Sequence, residues 1–265
     1  MARTTTILII NPNSSQSITD GLKPRLADLT SSYLSLSYYT APQEAPPSID
    51  DEATSALSTS VTLPLLQPML TTQSSEATEG DSRASRYSAY LIACFSPHPL
   101  TPALRSRTTA PVLNIFEAAL LHARALAVPY GIVTTGQYWE AVLEDGAKEF
   151  FLQKGHMLMD NEGGATATHE MHVAGFVGVR STGLSAIELH LTEREEVDRR
   201  IADASAELVR EGAKTIILGC AGMSGMEDAI RSGAQRYGRE VRIIDGVRAG
   251  VVLLEGLVKT NVVYE

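Results

Sequence analysis

Two cysteines stand out as residues able to do chemistry, Cys94 and Cys220. Each follows a short apolar run: Tyr90-Leu91-Ile92-Ala93 before the first, Thr215-Ile216-Ile217-Leu218-Gly219 before the second. Runs of this length, ending in small residues and helix-start signals, read as buried strands. In open α/β sheets ligands collect beyond the carboxyl ends of strands. Two thiols at two such ends therefore suggest an acid/base pair facing one another across a substrate. Inverting a carbon beside a carbonyl requires a base on one face and an acid on the other, and a thiol with an ordinary pKa of about 8.5 suits both roles. An unassisted thiol is only about 3% thiolate at pH 7, so such a site is expected to lower one pKa. A helix N-terminus directly after each cysteine would do so through its unpaired N–H groups and dipole. The competing reading is structural, because free cysteine also serves as a small core residue.

Proton abstraction beside a carbonyl leaves an enolate oxygen that needs donors. Backbone amides, Asn11, Asn13, Thr134 and Thr135 are candidates, and the small Ala221 and Gly222 allow N–H groups to approach Cys220 closely. Asn11-Pro12-Asn13 also reads as a turn and helix cap, Thr134-Thr135 as strand-end capping, and Asp245 as the organiser of its own turn. The Gly-x-x-Gly-x-x-Gly spacing from Gly219 to Gly225 differs from the dinucleotide-binding pattern. His169-Glu170-Met171-His172 is one residue short of a zinc signature on one helix face, and with His156 it reads as solvated loop rather than a metal site. His98, four residues past Cys94, reads as a surface residue, with tuning of the thiolate as its alternative.

The elements that would position these residues alternate. Strands are expected at Ile7–Ile10, Leu34–Tyr39, before Cys94, at Pro111–Phe116, Tyr130–Val133, Val173–Val179, before Cys220 and at Arg242–Gly246. Helices are expected near Pro102–Arg107 and at Glu117–Leu126, Gln137–Phe151, Val197–Glu211 and Ser224–Tyr237, with a final helix to Leu257. The three prolines between Ala41 and Pro47 mark a loop, and the polar stretch from Thr71 to Arg86 reads as a surface insertion. Strands separated by helices imply an α/β fold with mostly parallel sheets flanked by helices.

An internal echo divides the chain. Asn11 to Cys94 and Thr135 to Cys220 span nearly equal lengths, and Val112-Leu113-Asn114-Ile115-Phe116-Glu117-Ala118 resembles Ile243-Ile244-Asp245-Gly246-Val247-Arg248-Ala249. Two pseudosymmetric lobes are expected, residues 1–115 with 243–265 carrying Cys94 and residues 116–242 carrying Cys220, with the site in the cleft between them.

Composition narrows the class. A chain of 265 residues with 44% hydrophobic and 20% charged residues can build a substantial core. A formal net charge of -9 disfavours nucleic acid and anionic membrane as partners. No apolar run approaches a membrane span, and Asn11-Pro12-Asn13 interrupts any secretory h-region. Two cysteines without an export signal fit a reduced cytoplasmic setting, where a disulfide between them is disfavoured.

The motifs carry a family resemblance. Ile9-Ile10-Asn11-Pro12-Asn13-Ser14-Ser15 resembles the opening motif of hydantoin racemases, Ile92-Ala93-Cys94-Phe95 their first cysteine motif, and Leu218-Gly219-Cys220-Ala221-Gly222-Met223 their second. Val133-Thr134-Thr135 is similar to the segment opening the second lobe, and Ile244-Asp245-Gly246-Val247 to the one after the second cysteine. In the right order and spanning nearly the whole chain, they resemble the aspartate/glutamate/hydantoin racemase superfamily. Thr134-Thr135-Gly136-Gln137-Tyr138-Trp139-Glu140 and Ser181-Thr182-Gly183-Leu184 look like a eukaryotic branch of its hydantoin racemases.

The resemblance implies a cofactor-independent isomerase, with no metal, acting on a hydantoin-like or allantoin-like small molecule. Cys94 and Cys220 would be the paired catalytic bases, and Asn11, Asn13, Phe95, Ser96, Thr134, Thr135, Ala221 and Gly222 would bind substrate; a homo-oligomer is also implied. Two departures bear on substrate. Ser96-Pro97-His98-Pro99-Leu100 replaces the usual continuation after Cys-Phe, and the Cys-Thr-His of glutamate racemases is missing after Leu218-Gly219. A decarboxylase, a cis–trans isomerase and a ligand-binding descendant without turnover are the alternatives.

Overall fold

A computed structural model describes residues 4–70, 87–153 and 175–260. The insertion expected at Thr71–Arg86, the histidines at 156, 169 and 172, and the first two residues of the strand expected from Val173 lie outside the described residues.

Two four-stranded parallel sheets form the framework. The first joins β1 (Thr5–Asn11), β2 (Leu34–Thr40), β3 (Ala89–Ile92) and β4 (Val112–Asn114) in the order β2-β1-β3-β4. The second joins β5 (Tyr130–Thr134), β6 (Phe176–Ser181), β7 (Thr215–Leu218) and β8 (Arg242–Asp245) in the order β6-β5-β7-β8. The orders are equivalent strand for strand, so the internal echo in the sequence is a real repeat of topology.

Strand pleating explains the unbroken apolar runs. Successive side chains point to opposite faces, so Ile7 and Ile9 enter a core shared by both lobes while Leu8 and Ile10 face α2 (Glu52–Leu70) and α3 (Leu100–Arg105). β7 repeats the division, with Ile217 in the shared core and Ile216 and Leu218 packed against α7 (Arg194–Arg210) and α8 (Glu227–Gln235). The shared core also holds faces of α1 (Gln16–Leu26), α4 (Ile115–Leu126), α5 (Tyr138–Gln153) and α9 (Gly246–Thr260). Truncating a side chain such as Ile9, 1% exposed, is expected to cost about 2–5 kcal/mol.

The two strand–helix echoes have a common physical basis. Asn114 ends β4 and caps α4, its Oδ1 accepting the Glu117 N–H at 2.8 Å. Asp245 ends β8 and caps α9, its Oδ1 accepting the Val247 N–H at 2.7 Å and the Arg248 N–H at 3.1 Å. Each side chain thus satisfies helix N–H groups that have no partner within the helix.

The lobe boundary is crossed more intimately than the expected division at 242/243. Residues 243–245 complete the second sheet through β8, whereas α9 packs on β1, β3 and β4 of the first. α4, expected with the second lobe, packs on α9 and touches β4, β7 and β8. Among the described residues no helix is long and apolar enough to cross a membrane.

Candidate active site

In each sheet the chain leaves the central pair of strands in opposite directions, making a crevice between β1 and β3 in one lobe and between β5 and β7 in the other. Such switch points are where open α/β sheets bind ligands. Their loops converge on one cavity of about 40 Å³, lined by Asn13, Ile18, Ile49, Ala93, Cys94, Phe95, Thr135, Trp139, Ala186, Gly219, Cys220, Ala221 and Gly222. At this size it holds about one to three waters.

Cys94 and Cys220 therefore line the same space from opposite lobes, and both are free thiols. Cys94 Sγ is 3.4 Å from Ser96 Oγ, and Cys220 Sγ accepts the Gly222 N–H at 3.3 Å. Of the helix N-termini expected directly behind the sulfurs, only a short one, capped by Cys220 itself, is present. A 3-10 turn, Ala221–Met223, follows Cys220, with α8 beginning at Glu227; after Cys94 two prolines intervene before α3 begins at Leu100. The expected lowering of a thiol pKa is likewise reversed. Burial pushes Cys94 up to about 12 and Cys220 up to about 11, the Ser96 hydrogen bond and the Gly222 N–H opposing it only in part. Both thiols hold their protons at neutral pH.

Of the residues singled out from sequence, Asn13, Phe95, Thr135, Ala221 and Gly222 join the two cysteines on the cavity wall. Asn11, Ser96 and Thr134 are buried one layer behind. Asn11 Nδ2 donates to the Ser15 carbonyl and to Thr19 Oγ1, both at 3.0 Å, and its Oδ1 accepts the Asn13 N–H at 3.2 Å. It shapes the turn that presents Asn13, whose Oδ1 accepts the Ser15 N–H while its Nδ2 has no protein partner among the described residues. Thr134 Oγ1 donates to the Gly219 carbonyl at 3.3 Å, tying the ends of β5 and β7 together.

Gly219 makes this junction possible. Its N–H donates to the Val133 carbonyl at 2.7 Å, and a Cβ there would lie 2.5 Å from that same oxygen. The residue before Cys220 must therefore lack a side chain for β7 to reach this depth beside β5.

Sequence reasoning missed Ile18, Ile49, Ala93, Trp139 and Ala186 as wall residues. Trp139 had a signal, since it follows Thr134-Thr135-Gly136 at a strand-to-helix turn. Ile49 and Ala186 had none; long-range contacts bring them in. Ser58 Oγ donates to the Pro12 carbonyl at 2.5 Å and the Ser14 N–H to the Pro46 carbonyl at 3.0 Å, docking the Ile49 segment against the Asn13 turn.

His98 is not a surface residue but 1% exposed. The flanking prolines turn it inward: its N–H donates to the Ser96 carbonyl at 2.8 Å and its Nδ1 accepts the Leu100 N–H at 3.2 Å. Burial pushes its pKa down to about 4, so the ring is neutral at pH 7. It does not line the cavity. No group of three or more metal-binding side chains occurs among the described residues.

Comparison with known proteins agrees with this architecture. A family model described as Asp/Glu/Hydantoin racemase matches residues 7–254. An uncharacterized protein of Schizosaccharomyces pombe is 32% identical over 258 residues, 96% of this chain and 92% of the relative. A hydantoin racemase of Paenarthrobacter aurescens is 28% identical, covering 95% and 90% of the two chains. The crystal structure of allantoin racemase from Pseudomonas fluorescens superposes with a TM-score of 0.72 at 23% identity, covering 96% of this chain and 91% of that one.

Proposed function

The chain belongs to the Asp/Glu/hydantoin racemase family, and on that premise we propose that it is a cofactor-independent racemase of small cyclic imides or ureides, hydantoin-like or allantoin-like. One observation carries the reading: Cys94 from one lobe and Cys220 from the other line a single cavity. One sulfur, as thiolate, removes the proton beside a ring carbonyl; the other thiol returns a proton to the opposite face. The ring carbonyl stores the charge meanwhile, so the scheme needs no cofactor. Asn13 Nδ2 and Thr135 Oγ1 are the side-chain donors on the wall for the developing oxyanion.

The wall chemistry supports a neutral substrate. Ile18, Ile49, Phe95, Trp139 and Ala186 are apolar, and among the described residues no Lys or Arg lines the cavity to hold a free carboxylate. A flat five-membered ring presents both faces of its stereocentre to two walls.

The test is incubation of enantiopure 5-substituted hydantoins and allantoin in D₂O. Loss of optical rotation with deuterium entering the stereocentre is the expected result. Release of carbon dioxide from a carboxylated analogue would show a decarboxylase instead, and thermal stabilisation by these compounds without exchange would show a binding protein.

A further inference from the structure

The two-thiol scheme leaves one proton unaccounted for. Both sulfurs are protonated at rest, and a pair of thiols works only after one has lost its proton. Among the described residues the cavity wall supplies no carboxylate or imidazole to take it. Just beyond the wall, α6 (Glu188–Leu191) carries His190.

Gly222 measures the spacing. A Cβ on Gly222 would sit 3.1 Å from His190 Nε2, 3.6 Å from Cys220 Sγ and 3.7 Å from the Ala186 carbonyl oxygen. Ring nitrogen and sulfur thus both border the one atom-sized space that Gly222 leaves open. The backbone of α6 is held in place, the His190 N–H donating to the Ile187 carbonyl at 3.0 Å and Glu188 Oε2 accepting the Ser185 N–H at 2.8 Å. The imidazole has no hydrogen-bond partner among the described residues.

Resting on the two-thiol reading above, we propose that His190 is the proton acceptor for Cys220. The S–H bond of Cys220 breaks, an N–H bond forms at Nε2, and a thiolate–imidazolium pair results, directly or through one water in the space beside Gly222. The pair then cycles with its remaining thiol proton alternating between Cys220 and Cys94. Partial burial lowers the His190 pKa, which favours the neutral ring, the form with a lone pair to accept a proton. Asp50, before α2, acts on both thiols and Cys220 acts on Cys94, each raising the pKa. Asp50 opposes a thiolate, and His190 is the basic side chain that borders the same space as Cys220.

The experiment follows the pH dependence of Cys220 alkylation by iodoacetamide, read by mass spectrometry, in the full chain carrying Cys94→Ser. Adding His190→Asn is expected to slow alkylation at pH 7 by at least about tenfold, equivalent to a shift of one pH unit, with the rates converging above pH 11. Gly222→Ala, which fills with a methyl the space that ring and sulfur both border, is expected to shift the profile the same way. Superimposable profiles for His190→Asn and its parent overturn the proposal, as does an unshifted profile for Gly222→Ala. In the otherwise unchanged enzyme, His190→Asn lowers kcat with KM within about twofold, and added imidazole restores part of it. Because alkylation needs no turnover, a shifted profile in a protein that racemises nothing refutes only the proposed function; racemisation with unshifted profiles refutes only the role of His190.

Discussion

Cys94 and Cys220 share a cavity but are each hydrogen-bonded inside their own lobe, Cys94 Sγ to Ser96 and Cys220 Sγ to the Gly222 N–H. Their relative placement therefore depends on how the lobes pack, through α4 and α9 and the shared core, rather than on any bond between the two loops. Each thiol can be changed with its partner left in position.

Cys94→Ser and Cys220→Ser are each expected to lower racemisation by about 10²–10⁴. A serine hydroxyl is too weak an acid to exchange a proton near neutral pH. Polarimetry on purified variants checks this, and full activity in both single variants would sink the two-base scheme.

The reactivity of Cys94 should climb with pH. Burial raises its pKa from 9.0 to about 12, so in Cys220→Ser its alkylation rate rises about tenfold per pH unit between pH 7 and 10 without levelling. The sign for stability follows. The folded thiol keeps its proton longer than the unfolded one, so its contribution is complete below pH 9 and is lost as pH rises from 9 toward 12. Urea titrations at pH 8 and pH 10 are expected to show a loss of about 1 kcal/mol at Cys94.

His98 predicts the opposite slope in acid. Its folded pKa, about 4, lies below the unfolded value of 6.5, so its contribution is present above pH 6.5 and lost as pH falls toward 4. Relative to His98→Asn, whose Oδ1 can still accept the Leu100 N–H, the native protein should lose about 2 kcal/mol between pH 7 and pH 5. Equal losses in both proteins would show that His98 is not the group responsible.

Gly219→Ala tests the strand junction. The added methyl meets the Val133 carbonyl oxygen 2.5 Å away, so β7 must withdraw from β5 at a cost of about 1–3 kcal/mol. Cys220 moves with it, and racemisation is expected to fall more than the thermal midpoint alone explains. Denaturation and polarimetry on the same sample separate the two effects.

Much of the fold was legible because its signals are local. The runs Ile7–Ile10 and Thr215–Leu218 read as strands covered on both faces, and Asn114 and Asp245 marked two strand–helix units found at equivalent places. α2 was not legible. Pro64 and Pro68 lie inside it and its Ser/Thr-rich sequence lacks an apolar stripe, so packing against the first sheet, not intrinsic pattern, keeps it helical.

The site divided along the same line. Sequence alone determined the chemical types, two thiols at equivalent strand ends with Asn13 and Thr135 nearby, because strand termini and turns are written in neighbouring residues. Tertiary structure alone decided that both sulfurs meet in one cavity and that burial raises their pKa values. It also turned His98 inward and brought His190, Ile49 and Ala186 to the site's edge. Proximity between distant segments and exclusion of water depend on how sheets and helices pack, and no local stretch of residues encodes either.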